Sequence, residues 1–267
     1  MNYWQSRSLS SQEKISKKSI KQIEAQLKKQ YKQAAKQCIN DFEATYDKLV
    51  ATVEAGKEIT PADLYKLDKY WQLQGQLRKE LQKLGDREIK ILSEAFEANF
   101  FEVYYSLNLP GVETGQFNTL DTAAVQQLIN QIWCADGKSW SQRIWQNNEK
   151  LMETLNEQLL HCVATGKKTT ELKNLLQDRF GVSYSRANTL VRTEIAHIQT
   201  QAAKQRYQDY GLTEYEIFGN EDDNCGNHSI DCHEMDRKKF LYSEMVVGKN
   251  APPFHPNCKC CIVPVID

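Results

Sequence analysis

Residues Asp222–Pro264 read DDNCGNHSIDCHEMDRKKFLYSEMVVGKNAPPFHPNCKCCIVP and hold five of the chain's eight cysteines and three of its five histidines. Cys225 and Cys232 stand at one end; His255, Cys258, Cys260 and Cys261 stand at the other. Pro252, Pro253 and Pro256 stiffen the approach to the second cluster, because each ring fixes φ and removes an N–H donor. So polar a stretch cannot close a core of its own and needs a tie. Zn²⁺ takes four tetrahedral Cys or His ligands, usually as two close pairs on two turns. His255-x-x-Cys258 has the spacing of a ligand knuckle, and Cys225 with Cys232 supply the second pair. Cys258-x-Cys260 competes with His255, while Cys261 points to the opposite face of a strand. The expectation is one structural zinc on Cys225, Cys232, Cys258 and either His255 or Cys260, with no open coordination site. A disulfide-linked or hydrogen-bonded loop is the alternative.

Around that stretch, TEYEIF (213–218), KKFLY (238–242) and CIVPVI (261–266) alternate as strands do. A small, loop-rich β module over 212–267 follows. Upstream the texture is helical. Ser10 to Ala55 contains no Gly or Pro, and Ile23, Leu27, Tyr31, Ala34, Cys38, Phe42, Tyr46, Leu49 and Val53 recur about once per turn. Gly56 ends that helix, and Thr60-Pro61 restarts one as N-cap and first helical residue. Leu64, Leu67, Trp71, Leu77, Leu81 and Leu84 continue the stripe to Gly85, a candidate interruption, and Ile89, Leu92, Phe96, Phe100 and Val103 resume it. Long helices joined by short turns read as an antiparallel bundle over 1–107. The stripe is longer than one compact core needs, which points to an interaction role for this region.

Residues 108–118 (NLPGVETGQFN) lack periodicity and mark the clearest boundary. Beyond it, Asn118 or Thr119 caps a short helix to Trp133, and Ser139 or Ser141 caps the next, which Gly166 stops. A helix from Thr169 or Thr170 closes at Gly181, and another from Arg186 ends at Gly211. The expected fold is mainly α: long N-terminal helices, then a second domain over 119–267 with helices in 119–210 and the cysteine-rich β module behind them. Within the last helix, Arg192, Thr193 and Glu194 read as polar anchors to the β module or a neighbouring helix.

The net charge of −1 supplies no field toward nucleic acid or membrane. Residues 1–36 nonetheless carry nine Lys/Arg against two Glu, either a solvated helix face or an arm for DNA or an acidic partner. No apolar run approaches the ~18 residues of a membrane span, and MNYWQSRSLSSQEK lacks the apolar core of a signal peptide. A reducing cytosol is therefore expected, where clustered cysteines favour metal over disulfide. Cys38, Cys134 and Cys162, isolated in helical patterns, read as buried small hydrophobes.

The run from WSQRIWQNNEKLMETLNEQLLHC (140–162) through SRANTLVRTEIAHIQTQAAKQRYQDYGLTEYEIF (185–218) then leads into a recognisable ending. That ending comprises Cys225, Cys232, Met235-Asp236-Arg237 and Pro252-Pro253-Phe254-His255-Pro256-Asn257-Cys258-Lys259-Cys260. From about Trp140 to Pro264 the chain resembles the phage minor head proteins, the Mu F-like head morphogenesis family. Three departures stand out. Six residues, not about two, separate the leading cysteines; Arg237 stands where Gly is common; Lys259 replaces the usual Arg. The resemblance implies a non-enzymatic minor capsid component of the virion, made in the host cytoplasm. It would lie near the portal and act in head assembly and DNA packaging or delivery. The implied partners are portal, capsid and scaffold proteins, with DNA contact through the basic N-terminal helix and neither membrane nor small-molecule substrate.

Other classes fit less well. A His–Asn–His metal nuclease needs a helix after His255-Pro256-Asn257 to return a second histidine, and CIVPVID is no helix. Glu214-x-Glu216 with Arg192 resembles an ADP-ribosyltransferase set, but the Ser-Thr-Ser strand is absent. A zinc-bearing DNA-binding protein would need a reader helix beside the zinc loops.

Overall fold

The computed structural model describes residues 2–51, 62, 65, 66, 68–109, 120–165, 168–219 and 232–266. Helices α1 (Tyr3–Ala51), α2 (Asp68–Ser106), α3 (Thr122–Asn130), α4 (Trp140–Ala164) and α5 (Thr169–Asp209) precede β1 (Glu214–Phe218), a one-turn α6 (Cys232–Met235), β2 (Lys239–Leu241) and β3 (Cys261–Pro264). The mainly helical fold with a small sheet at its C-terminal end is as expected. No described helix is long and apolar enough to cross a membrane.

The chain forms two compact units that share the long helices. One takes residues 25–91 and 141–187. Here α1 runs alongside α4, since Tyr31 meets Asn147 and Tyr46 meets the Cys162 carbonyl. α2 runs the opposite way, since Tyr70 bonds Asn156 while the Glu88 carboxylate faces Asn148. Leu27, Tyr31, Ala34, Cys38, Phe42 and Tyr46 are all buried, as are Leu73, Leu77, Leu81 and Leu84. The described part of the α1 stripe is thus covered by this chain's own helices rather than kept for a partner.

Gly85 does not interrupt α2. A Cβ there would come within 2.6 Å of the Trp145 ring and 2.8 Å of Asn148, so glycine serves the close approach of α4. Gly181 does not end a helix either: α5 continues through it to Asp209. Neither glycine has the positive φ of a helix stop. Gly211 does, at φ 76°. Its N–H bonds Gln208 O at 2.8 Å and Leu212 N–H bonds Tyr207 O at 3.0 Å, the paired bonds of a Schellman end.

The other unit takes residues 1–24, 92–140 and 188–267. Asp121, not an earlier residue, caps α3 by accepting from Ala123 N–H at 2.9 Å. The antiparallel sheet has the order β2-β1-β3, with Tyr215 opposite Phe240 on one side and Ile217 opposite Ile262 on the other. Tyr215, Ile217, Ile262 and Val263 are fully buried. The outer edge of β3 is met by α1. Gln5 Nε2 donates to Pro264 O at 3.2 Å and to Glu216 Oε2 at 3.1 Å, and Gln12 Nε2 donates to Ile262 O at 2.9 Å. A strand edge that would otherwise offer free carbonyls is closed by amide side chains.

Candidate metal centre

Cys232 opens α6, which Gly219 and the turn at Asp236 hold against β1. Gly219 N–H donates to Asp236 Oδ1 at 2.7 Å, and a Cβ on Gly219 would lie 3.0 Å from Cys232 O, a tight fit that glycine relieves. Arg237 adopts φ 63°, yet is held from both sides. Its N–H bonds Ile217 O at 2.9 Å, and its guanidinium pairs with Glu216 at 3.2 Å and lies 4.3 Å from the centre of the Phe218 ring. Those contacts offset the cost of a left-handed backbone at a residue that is not glycine.

The second arm is a tight turn. Pro256 presets φ, Asn257 takes φ 61°, and Cys258 N–H returns to His255 O at 3.2 Å, the pattern of a type II turn. Asn257 N–H also donates to Thr193 Oγ1 at 3.1 Å, fastening the knuckle to α5. Of the neighbouring anchors, Arg192 reaches a neighbouring helix as expected, binding Glu24 at 2.6 Å, whereas Glu194 accepts from Trp133 Nε1 in the loop after α3 at 3.0 Å.

These turns bring Cys232, His255 and Cys258 together, their ligand atoms all within 4.8 Å of one another and all three residues buried. Cys232 Sγ lies 3.1 Å from His255 Nε2 and 3.9 Å from Cys258 Sγ. His255 Nδ1 faces Pro256 O at 2.9 Å. A proton on Nδ1 satisfies that carbonyl and leaves the Nε2 lone pair toward the thiols, the tautomer a metal needs. Cys260, two residues beyond Cys258, is 3% exposed. The neighbouring Cys232 and Cys260 thiols hold the Cys258 thiol far below its usual range, while Cys258 and Cys260, then burial, push Cys232 up. Three soft donors converge in a dry pocket with a fourth beside them, a set that fits Zn²⁺.

Cys225 lies outside the described residues, as do Asp222, Asp223 and His228. Cys261 sits on β3, where burial raises its thiol. His233 is exposed on α6. Cys38 and Cys162 are fully buried and Cys134 half-buried. Glu216, half of the E-x-E pair, is 8% exposed and taken up by Gln5 and Arg237. After the knuckle the chain enters β3 directly.

Sequence reasoning missed Gln5, Ser8 and Gln12, which support the far side of the sheet, with Ser8 bonded to the buried Tyr207 hydroxyl. Their spacing held the signal: the α1 stripe projected backward from Ile23 through Ser19 and Ile15 lands on Gln12, Ser8 and Gln5.

Residues 153–263 match the family described as Phage Mu protein F like protein, over the C-terminal region where the resemblance was expected. No curated protein and no solved structure matches the chain.

Proposed function

We propose that this chain is a minor head protein, built into the phage particle near the portal and acting by binding rather than catalysis in head assembly and DNA packaging or delivery. One observation carries the reading. The closing motif from Pro252 to Cys260, inside the family match, folds into a buried soft-donor cluster anchored to α5. Zinc there would be held by Cys232, His255 and Cys258, with Cys260 as fourth donor. Its contribution is to tie the loop ends, on the order of 10 kcal/mol for a structural site. With Cys260 as fourth donor the coordination shell would be closed, leaving no position for an activated water.

Mass spectrometry of purified particles tests the assignment. The reading expects this chain in heads at a few copies, beside the portal in partially disassembled particles. Heads that assemble, package DNA and infect without it would overturn it. A purified sample that cleaves DNA with Mg²⁺ would instead favour the nuclease reading.

A further inference from the structure

The unit built from residues 25–91 and 141–187 carries an open groove of about 530 Å³ between α1 and α5 that the proposed function does not use. Its floor is apolar, with Tyr31, Ile39 and Phe180 each no more than 5% exposed. Its rim is basic. Lys28, Lys32 and Lys36 recur every fourth residue on α1, one row with about 6 Å between successive side chains. Lys173 faces them from α5, and no carboxylate is among the described lining residues. Glu43, outside the groove, approaches Lys173 at 3.9 Å, so the α1 row dominates the charge.

Gly181 is the second observation. It lines the groove in the interior of α5, exposed, and a Cβ there would meet nothing within 4 Å. Glycine in a helix interior costs roughly 1 kcal/mol relative to alanine. Here no neighbour requires it; what it does is leave the floor open.

We propose that this groove docks an acidic amphipathic helix of another protein. Apolar side chains at i, i+3, i+4 and i+7 would cover the floor, and glutamates or aspartates beside them would meet the lysine row. The row from Lys28 to Lys36 extends about 12 Å, or two turns of a helix lying along α1. A compact anion would engage one or two of its charges. A nucleic-acid backbone would use the lysines and leave the half-buried Ala35 and Tyr184 that line the groove unmatched. Both the apolar floor and the charge sign are met only by the acidic helix. The inference does not depend on whether that helix belongs to a phage head protein.

Fluorescence anisotropy on the full-length protein tests it with three probes, and a lysine version of the first serves the charge-reversed variant. The first is a labelled peptide of about 18 residues with leucines on one face flanked by glutamates. The second has the same composition scrambled to destroy the face, and the third is a labelled DNA duplex. The amphipathic peptide should bind and the scrambled one should not. Gly181→Leu should weaken binding about tenfold or more, with a melting temperature unchanged or raised. Replacing Lys28, Lys32 and Lys36 with glutamate should abolish binding of the glutamate peptide and admit its lysine counterpart. The proposal is overturned if the amphipathic peptide fails to bind, if the scrambled peptide binds equally, or if Gly181→Leu changes nothing. Duplex DNA binding that depends on the lysines but not on Gly181, without peptide binding, overturns it in favour of a nucleic-acid surface.

Discussion

Gln12, 1% exposed near the start of α1, donates from Nε2 to the carbonyl oxygen of Ile262 in β3 at 2.9 Å, a bond between residues 250 positions apart. With Gln5 it closes the outer edge of the sheet that carries the metal knuckle. Gln12→Leu should leave that carbonyl buried and unpaired, at a cost of about 1–3 kcal/mol. Urea unfolding measures the loss, and hydrogen exchange should rise through β3. An unchanged unfolding midpoint would show that the edge is satisfied some other way.

His197 lies flat on Trp133, ring centres 4.7 Å apart, 2% exposed and, among the described residues, with no hydrogen-bond partner for either ring nitrogen. Burial pushes its pKa down to about 3. Because the unfolded chain takes the proton first, this residue costs nothing above about pH 6.5 and removes stability as pH falls toward 3. At pH 5 the loss is about 2 kcal/mol. His197→Phe keeps the stacking and should flatten that part of the stability–pH profile. Parallel profiles for both proteins between pH 7 and 5 would contradict the assignment.

Glu88 has the opposite sign. It is 1% exposed beside Tyr31 and Asn148, and burial raises its carboxyl to about 7. The folded state binds this proton more tightly, so its contribution is full below about pH 4.5 and is lost as pH rises toward 7. Glu88→Gln should match the parent at pH 4.5 and exceed it by on the order of 3 kcal/mol at pH 8. Denaturation midpoints at the two pH values decide it; a pH-independent difference would refute the account.

Much of this was legible in residue spacing. The alternation of TEYEIF and CIVPVI marked β1 and β3, Gly211 marked the end of α5, and the His255-x-x-Cys258 spacing marked the knuckle that the structure builds as a tight turn. What misled was reading glycine as a break and polar residues as solvated. Gly85 is a contact and Gly181 a gap, distinctions that depend on a neighbouring helix. Glu88 falls in the α2 stripe between Leu84 and Leu92, four residues from each, and its burial follows from that register. Gln5 and Gln12 continue the α1 stripe as amides because the surface they meet is a row of backbone carbonyls, which no local pattern in α1 reveals.

The central claim is that a metal ties the β module together, and zinc content of the full-length protein purified under reducing conditions tests it most directly. The account predicts about one Zn²⁺ per chain. Cys258→Ser and Cys260→Ser should lose it and make the region beyond Gly211 protease-sensitive, while Cys38→Ser should do neither. Cys225→Ser should keep the metal if Cys260 is the fourth donor; its loss there would move that role to Cys225. Protein free of zinc whose residues 232–266 still resist protease would contradict the claim and leave a hydrogen-bonded loop in its place.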